Sequence, residues 1–170
     1  MPSQKSLRVR RAEENDIVAL QRLLVQVGLV HHNGRPDLFR ATTKYSAEDL
    51  THLLKEEHFP VFVAESENGE ILGHAFCQIV RHEGERLLED IQTLYIDDIC
   101  VDESARRKGV GRLLYKYVVD YARAIHCHNV TLNVWECNPA ALAFYRACGL
   151  AIQKYGMELV LDTAKEKEMA

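Results

Sequence analysis

The chain has 170 residues, 47% of them hydrophobic, which fits a single domain over residues 1–170 with a structured core over about 7–161. Its 21 basic and 25 acidic residues give a net charge of −4, which argues against a general nucleic-acid-binding protein, because such proteins normally carry a basic face. The sequence contains no run of ~18 apolar residues, so no membrane span is predicted. The N-terminus shows no apolar segment typical of a signal peptide.

The N-terminal residues predict a strand, a helix and a loop. Alternation over residues 7–10 is typical of a strand, and apolar side chains recur at three- and four-residue steps over residues 17–27, which predicts an amphipathic helix. Residues 31–40 predict a loop, because Pro36 disfavours helical backbone in the residue before it. This loop is rich in titratable and aromatic groups, so it either packs its apolar side chains onto the core or faces a substrate.

The next segment predicts a second helix and three strands. Ser46 opens a capping box, so a helix should run from there to about residue 57. Residues 61–65, 71–80 and 93–101 predict strands, and their short connections favour antiparallel pairing.

Helices and strands alternate in the C-terminal half. Apolar residues keep a helical period over residues 110–125, and residues 130–135 carry the β-branched and aromatic side chains typical of a strand. Asn138 and Pro139 predict the start of another helix, since asparagine caps well and proline suits the first helical position.

The order of elements predicts one α/β domain with a mixed, mostly antiparallel sheet flanked by helices. The strand at 93–101, the following helix and the strand at 130–135 form a predicted right-handed parallel crossover. Residues 152–155 and 157–161 predict closing strands, and a charged tail follows.

Residues 96–115 combine the end of a strand, a polar turn and the start of a helix. Gly109 and Gly111 lack a Cβ and allow close backbone approach, and free N–H groups at a helix start can bind an anion. Four neighbouring cations favour a ligand that carries phosphate, although a solvated basic turn is the alternative. They are Arg106, Arg107, Lys108 and Arg112.

Two short motifs narrow the choice of ligand. Residues 106–111 read Arg-Arg-Lys-Gly-Val-Gly, and residues 138–145 read Asn-Pro-Ala-Ala-Leu-Ala-Phe-Tyr, followed by Gly149 and Leu150. They resemble the (Gln/Arg)-x-x-Gly-x-(Gly/Ala) and Asn-x-x-Ala-x-x-x-Tyr signatures of the GNAT family of N-acetyltransferases. Leu150 stands where a phenylalanine is usual. The element order is similar over nearly the whole chain.

The resemblance implies the GNAT fold and acetyl-CoA as cosubstrate, whose acetyl group passes to a primary amine by direct attack in a ternary complex. It implies that the strand end pairs with the pantetheine arm, that the turn holds the pyrophosphate, and that Tyr145 acts as general acid to the CoA thiolate. The implied cofactor-binding residues are Ile99, Cys100, Val101, Arg106, Arg107, Lys108, Gly109, Val110, Gly111, Arg112, Asn138 and Tyr145. A non-catalytic acyl-CoA-binding sensor or regulatory module is the alternative.

Asp97 and Asp98 are candidates for the base that deprotonates the amine. Strand alternation predicts that they point to opposite faces, with Tyr95 on the face of Asp97. A carboxylate on a central strand is costly unless it is functional or paired. Because some family members carry an acidic residue on the face of Asp97, we predict Asp97 as base or substrate anchor. A salt bridge to the 81–86 loop, Asp98 as base, or a water chain are the alternatives.

The acceptor amine is expected to enter beside the first pair of helices. Acidic groups there favour a cationic amine, whereas Arg35 favours a carboxylate or phosphate, so small metabolites, antibiotic amines and peptide amines are all candidates. The side chains expected to line this entrance are His31, His32, Arg35, Asp37, Phe39, Tyr95 and Asp97.

No metal, nucleic-acid or membrane partner is expected. His126, Cys127 and His128 do not converge at a helix end, and no Cys-x-x-Cys pair accompanies Cys137. The five cysteines lack tight repeated spacing, so we expect reduced thiols in a cytoplasmic protein. By family analogy, the closing strands are expected to support a homodimer.

Overall fold

A five-stranded sheet is the centre of the fold in the computed structural model, which describes residues 7–161. The strands are β1 (Arg8–Arg11), β2 (Val61–Glu65), β3 (Ile71–His82), β4 (Ile91–Val101) and β5 (Asn129–Leu132). The helices are α1 (Ile17–Gly34), α2 (Ala47–Leu53), α3 (Val110–Ala124) and α4 (Pro139–Ala147), with 3-10 turns at Glu14–Asp16 and Glu103–Ala105. None of these helices is both long and apolar enough to cross a membrane.

The strands follow the order β1-β2-β3-β4-β5 in space. The pairs β1–β2, β2–β3 and β3–β4 are antiparallel, whereas β4 and β5 are parallel and are connected through α3. The mixed, mostly antiparallel sheet and the parallel crossover are therefore confirmed.

Apolar side chains pack on both faces of the sheet. On one face, Leu94 and Ile96 of β4 join Leu114 and Val118 of α3 in a buried cluster. On the other face, a second cluster brings together buried side chains from α1, α2 and the sheet. Its largest members are Leu20, Leu23, Leu24, Leu50, Ile71 and Phe76. The sheet is thus covered by α3 on one side and by α1 and α2 on the other.

A β-bulge interrupts the pairing of β3 with β4 at Asp97. Phe76 lies opposite Asp98 and Cys77 lies opposite Ile96, so Asp97 has no partner residue on β3. One extra residue reverses the alternation of side chains beyond the bulge. The prediction that Asp97 and Asp98 point to opposite faces is wrong, because strict alternation does not hold across a bulge.

The side chains of β4 show the effect of this reversal. Leu94 and Ile96 before the bulge pack in the α3 cluster, and Ile99 and Val101 after it pack against the same cluster, although their numbers have the other parity. Cys100 therefore joins the α1/α2 cluster.

Helix α1 extends further than predicted and includes residues 31–34 of the expected loop. Gly28 lies inside the helix, and a Cβ there would come within 2.7 Å of the Thr42 carbonyl oxygen. The glycine lets the α1–α2 connection lie directly on the helix, so it does not end the helix. Helix α2 ends at Leu53, earlier than predicted, and β5 ends at Leu132.

The predicted closing strands are absent from the described residues, so this prediction is wrong. Residues 151–161 form no strand, and Tyr155, Met157 and Leu159 are largely exposed. Their apolar pattern is typical of a strand, but a strand also needs a neighbouring backbone to pair with. The charged tail that follows lies outside the described residues.

Candidate functional site

Strands β4 and β5 separate part-way along their length. Their pairing runs from Thr93 and Asn129 to Ile96 and Leu132, where β5 ends, whereas β4 continues to Val101. The edge of β4 beyond Ile96 is therefore not covered by β5. This gap, with the turn before α3 at one end and α4 beyond β5, forms the candidate site.

The turn between β4 and α3 is fixed by the buried carboxylate of Asp102. The Asp102 N–H donates to the Leu72 carbonyl at 2.8 Å, and its carboxylate accepts hydrogen bonds from the Ser104 N–H at 2.9 Å and hydroxyl at 2.7 Å. Arg22 and Gln26 of α1 also donate to this carboxylate. The Ser104 hydrogen bonds, helped by Arg22 and Gln26, outweigh burial and hold the pKa of Asp102 well below its usual range. The turn is thus held in shape by the protein itself.

The backbone at the start of α3 is arranged to bind an anion. Gly109, the N-cap, has a φ of 84°, and no side chain caps the helix. Within residues 7–161, no group accepts a hydrogen bond from the backbone N–H groups of Val110, Gly111 and Arg112. Three free donors at a helix start, in the positive end of the helix dipole, suit a phosphate.

The basic side chains of the turn are exposed, and two of them make hydrogen bonds to nearby carbonyls. Arg106 Nε donates to Val101 O at 3.2 Å, and Lys108 Nζ donates to Ser104 O at 2.7 Å. Arg107 and Arg112 are exposed as well. The four cations predicted to attract phosphate therefore lie exposed beside the start of α3.

Gly111 has a second reason to lack a side chain. A Cβ there would lie 3.4 Å from both Phe144 of α4 and Val101 of β4, at the short end of ordinary contact. The glycine lets α3 approach α4 closely.

The strand residues predicted for the pantetheine arm differ in where their side chains lie. Ile99 and Val101 pack against the α3 cluster, whereas the thiol of Cys100 lies 3.5 Å from the Leu23 carbonyl in the other core. Burial raises the pKa of Cys100 to about 12. Only the backbone of Cys100 is available to a ligand in the gap.

Tyr145 is placed by α4, which Asn138 caps as predicted. The Asn138 side-chain oxygen accepts from the Ala141 N–H at 3.2 Å, and the Tyr145 ring meets Phe144 edge to face with centroids 5.1 Å apart. Burial raises the pKa of Tyr145 well above its usual value, and the negative charge of Asp98 raises it further. The phenol therefore keeps its proton at neutral pH and lies within electrostatic reach of the bulge.

Asp97 forms an ion pair with Lys44, which comes from the α1–α2 connection. Burial lowers the pKa of Lys44, but the hydrogen bond and charge of Asp97 outweigh this, so the net shift is upward. A cleft beside the pair is lined by Tyr45, Leu53, Phe59, Phe76 and Gln78. The predicted alternative partner, the 81–86 loop, is not the one observed.

Asp98 forms a hydrogen bond with His74 of β3, at 2.7 Å between Oδ2 and Nε2. Sequence reasoning missed both His74 and Lys44. The signal for His74 was its position between the small residues Gly73 and Ala75 in the apolar part of a central strand. Lys44 carried no such signal, because its pairing depends on how the α1–α2 connection folds back over the bulge.

The other residues predicted for the acceptor side lie at the end of α1. His31 stacks on Phe39 with centroids 5.1 Å apart, Phe39 meets Trp135 edge to face at the same distance, and the His32 ring bonds to the Phe39 carbonyl at 2.7 Å. The structure thus brings α1, the following loop and the residues after β5 together.

The Tyr95 hydroxyl, on β4, accepts a hydrogen bond from the Asn133 side chain at 3.2 Å.

Arg35 is occupied by two carboxylates. It donates to both oxygens of Asp37 at 2.8 and 2.7 Å and reaches Glu158 at 2.9 Å. The hydrogen bonds that Arg35 donates to Asp37 and then to Glu158 raise the pKa of Arg35, and Arg35 in turn lowers the pKa of Asp37. Its charge is therefore already balanced, which weakens the case for a carboxylate or phosphate on the acceptor.

All five cysteines are free thiols. Within the described part of the chain, no three His, Cys, Asp or Glu side chains are grouped so that they could hold a metal ion.

Residues 29–150 match the model of the Acetyltransferase (GNAT) family, which is most of the chain. The protein belongs to this family. A mutant of the BH1408 protein from Bacillus halodurans is 30% identical and superposes with a TM-score of 0.87, over 91% of this chain and 99% of that one. The resemblance inferred from the two motifs is confirmed.

Two further relatives carry named activities. Streptothricin acetyltransferase of Streptomyces lavendulae is 37% identical over 79 residues, 46% of this chain and 42% of that protein. An aminoglycoside N-acetyltransferase in complex with CoA is 16% identical with a TM-score of 0.69, over 95% of this chain and 98% of that one, and shares the fold. The chain spans about two fifths of the length of the curated relatives that it matches.

The Asp102 network predicts a pH-dependent contribution to stability. We expect Asp102→Asn to lower the free energy of unfolding by about 1–3 kcal/mol at neutral pH, because Arg22 loses its charged partner. The folded-state pKa of Asp102 is lower than its unfolded-state value of ~3.9, so this stabilisation is fully present above that value and is lost as pH falls through the folded-state pKa. Urea unfolding of both proteins between about pH 7 and about pH 3 measures the difference, which should shrink in acid.

The control for this experiment is Asp120→Asn. Asp120 is an exposed carboxylate on α3 that pairs with Lys116 and Arg123, and we expect its replacement to leave the free energy of unfolding nearly unchanged at every pH. A difference between wild type and Asp102→Asn that grows in acid would contradict the assignment.

Proposed function

We propose that the protein is an acetyl-CoA-dependent N-acetyltransferase that moves the acetyl group to a primary amine by direct attack in a ternary complex. The observation that carries the proposal is the gap between β4 and β5, which ends at a helix start with free N–H donors and against which α4, the helix of Tyr145, packs through Phe144. A phosphate site at one end of the gap and a helix that carries a phenol beside it supply two of the groups that acyl transfer from a thioester requires.

Acetyl-CoA would be held by the turn before α3 and by the open edge of β4. The free N–H groups of Val110, Gly111 and Arg112 suit the pyrophosphate, and the surrounding cations add attraction. The backbone of Ile99 and Val101 suits the amide groups of the pantetheine arm, which would pair as an added strand. The CoA complex of the structural neighbour supports this ligand.

Replacement of Gly109 should weaken acetyl-CoA binding without unfolding the protein. Its φ of 84° disfavours any residue with a Cβ by about 1–2 kcal/mol, although a Cβ would meet no protein atom within 4 Å. We expect Gly109→Ala to reduce acetyl-CoA affinity about tenfold, as measured by calorimetry, because the helix-start donors turn away from the phosphate.

Gly84→Ala is the matched control. Gly84 also has a positive φ, 69°, with open space around its missing Cβ, but it lies in the β3–β4 connection. Its replacement should cause similar strain and leave acetyl-CoA affinity unchanged. Equal losses of acetyl-CoA affinity in both variants would show that the turn before α3 is not part of the binding site.

Tyr145 would donate its phenolic proton to the departing CoA thiolate. A half-buried phenol that stays protonated at neutral pH is suited to this step, since it holds a proton until a strong base forms beside it.

Tyr145→Phe should therefore lower kcat about 100-fold or more and leave the affinity for acetyl-CoA unchanged. Release of free thiol from acetyl-CoA with an amine panel that includes streptothricin measures kcat, and calorimetry measures binding. Tyr117→Phe, at a tyrosine of α3 whose ring packs edge to face on Phe62, is the control and should keep full activity. If acetyl-CoA binds wild type but no amine releases thiol, the protein is instead an acyl-CoA-binding sensor.

The acceptor is proposed to be a cationic small-molecule amine. Asp97 already holds the ammonium of Lys44 at the bulge, so this position recognises an ammonium group. Arg35, by contrast, is occupied by Asp37 and Glu158. Streptothricin and aminoglycosides, which appear in the names of the similar proteins, fit this choice.

Lys44 should compete with a cationic acceptor for Asp97. We expect Lys44→Met to lower KM for streptothricin by up to about fivefold with kcat unchanged, because an exposed ion pair contributes up to about 1 kcal/mol. Asp97→Asn should raise KM. Steady-state kinetics measure both effects.

Lys55→Met is the control, since Lys55 makes an exposed ion pair with Glu14 away from the bulge. An increase of KM in Lys44→Met would mean that Lys44 contacts the acceptor directly.

A further inference from the structure

His74 and Asp98 form a buried pair directly behind the candidate site. His74 lies on β3 with none of its surface exposed, and its Nε2 is 2.7 Å from Asp98 Oδ2. Its ring meets Phe76 edge to face with centroids 4.9 Å apart. The Asp98 side chain is 15% exposed, so part of it is open to solvent while Oδ2 meets the imidazole.

The second ring nitrogen of His74 fixes the form of the pair. Nδ1 is buried and has no hydrogen-bond partner within residues 7–161. A buried N–H without an acceptor is costly, so the neutral ring that carries its proton on Nε2 is favoured. His74 then donates to Asp98 and has no route to pass a proton further.

The bulge gives the two neighbouring carboxylates different partners on one side of the sheet. Asp97 is paired with the Lys44 ammonium, whereas Asp98 receives the neutral N–H of His74 and keeps its negative charge uncompensated. Asp98 is also the carboxylate whose charge acts on Tyr145. A carboxylate without a cationic partner is the better proton acceptor of the two.

We propose that Asp98 accepts the proton of the acceptor ammonium and that His74 is the positioning residue that orients Asp98 and stabilises its carboxylate form. This inference rests on the proposed acetyltransferase function. It leaves Asp97 with the task of holding the ammonium.

Protons and electron pairs balance in the proposed acetyl transfer. The ammonium gives one proton to Asp98, and the nitrogen lone pair then forms a C–N bond to the acetyl carbonyl carbon. The C–S bond breaks, and the thiolate takes the phenolic proton of Tyr145. The nitrogen loses its second proton as the amide forms, which restores the phenol, and Asp98 releases the first proton to solvent.

Other titratable groups around Asp98 are either paired or uncharged at neutral pH. Lys44 and Asp97 balance each other. Burial raises the pKa of Tyr45 and of Tyr145, and raises that of Cys100 to about 12. Among the described residues, His74 is the side chain that donates a hydrogen bond to Asp98.

The test compares two acceptors that differ in their need for a base. Streptothricin presents an ammonium that must lose a proton, whereas methoxyamine is unprotonated at neutral pH. We expect Asp98→Asn to lower kcat for streptothricin about 100-fold or more and to change the rate with methoxyamine by less than about threefold. Asp97→Asn should raise KM for streptothricin without this selectivity.

His74 is tested by a pair of replacements. His74→Met removes the donor, so we expect the acidic limb of the kcat profile for streptothricin to move to higher pH and kcat at neutral pH to fall about tenfold. His74→Gln places an amide N–H near the position of Nε2 and should restore at least half of the wild-type kcat. Acetyl-CoA should raise the melting temperature of every variant equally, which shows that the fold and the donor site are intact.

Two results would overturn the inference and can be told apart. If wild type binds acetyl-CoA but transfers to neither acceptor, the proposed function fails and the inference fails with it. If wild type is active and Asp98→Asn loses the same rate with both acceptors, or His74→Gln and His74→Met share one pH profile, the function stands and only the inference falls. Should His74→Met not fold, the pH profile of His74→Gln together with Asp98→Asn still decides, because a displaced acidic limb in His74→Gln contradicts its role as a donor substitute.

Discussion

The bulge at Asp97 determines the geometry of the whole candidate site. Without the extra residue, strict alternation would place one of the two carboxylates in the α3 cluster, whose members are apolar and offer no charged partner. With it, both carboxylates face the side of α1 and α2, and each finds a different partner. The apolar residues on either side of the bulge still reach the same core. One unpaired residue thus provides two acidic positions at little loss of packing.

Helix α1 connects the two halves of the site. Its middle turns supply Arg22 and Gln26, which hold Asp102 and with it the turn before α3. Its last turns supply His31 and the start of the aromatic contacts with Phe39 and Trp135. Because one rigid element contacts both the proposed donor turn and the proposed acceptor side, their separation is set by the packing of α1 on the sheet. A shift of this helix would change both sides together.

Local patterns in the sequence predicted most of the fold, and long-range contacts explain what they missed. Residues 61–65 formed the predicted strand, and Asn138 capped α4, because alternation and capping depend on near neighbours. The opposite orientation of Asp97 and Asp98 was wrong, since a bulge depends on how β3 pairs with β4 and leaves no signal in β4 alone. Gly28 looked like a helix end, yet its small size serves the contact with the Thr42 backbone. For the closing strands, the apolar pattern was present but the described chain offers no partner backbone.

In the proposed mechanism, the charge of Asp98 would couple the two proton transfers, because it raises the pKa of Tyr145 in addition to the effect of burial. While Asp98 is ionised, its charge raises the pKa of the phenol and keeps the proton on Tyr145. Once Asp98 has taken the proton of the ammonium, that charge is gone, and the phenol becomes a stronger acid at the moment when the thiolate needs a proton. The reverse order is disfavoured, because proton loss from Tyr145 first would place two negative charges together in a poorly solvated space. In the proposed mechanism, this interaction would therefore prevent early proton donation by Tyr145 and promote it after attack.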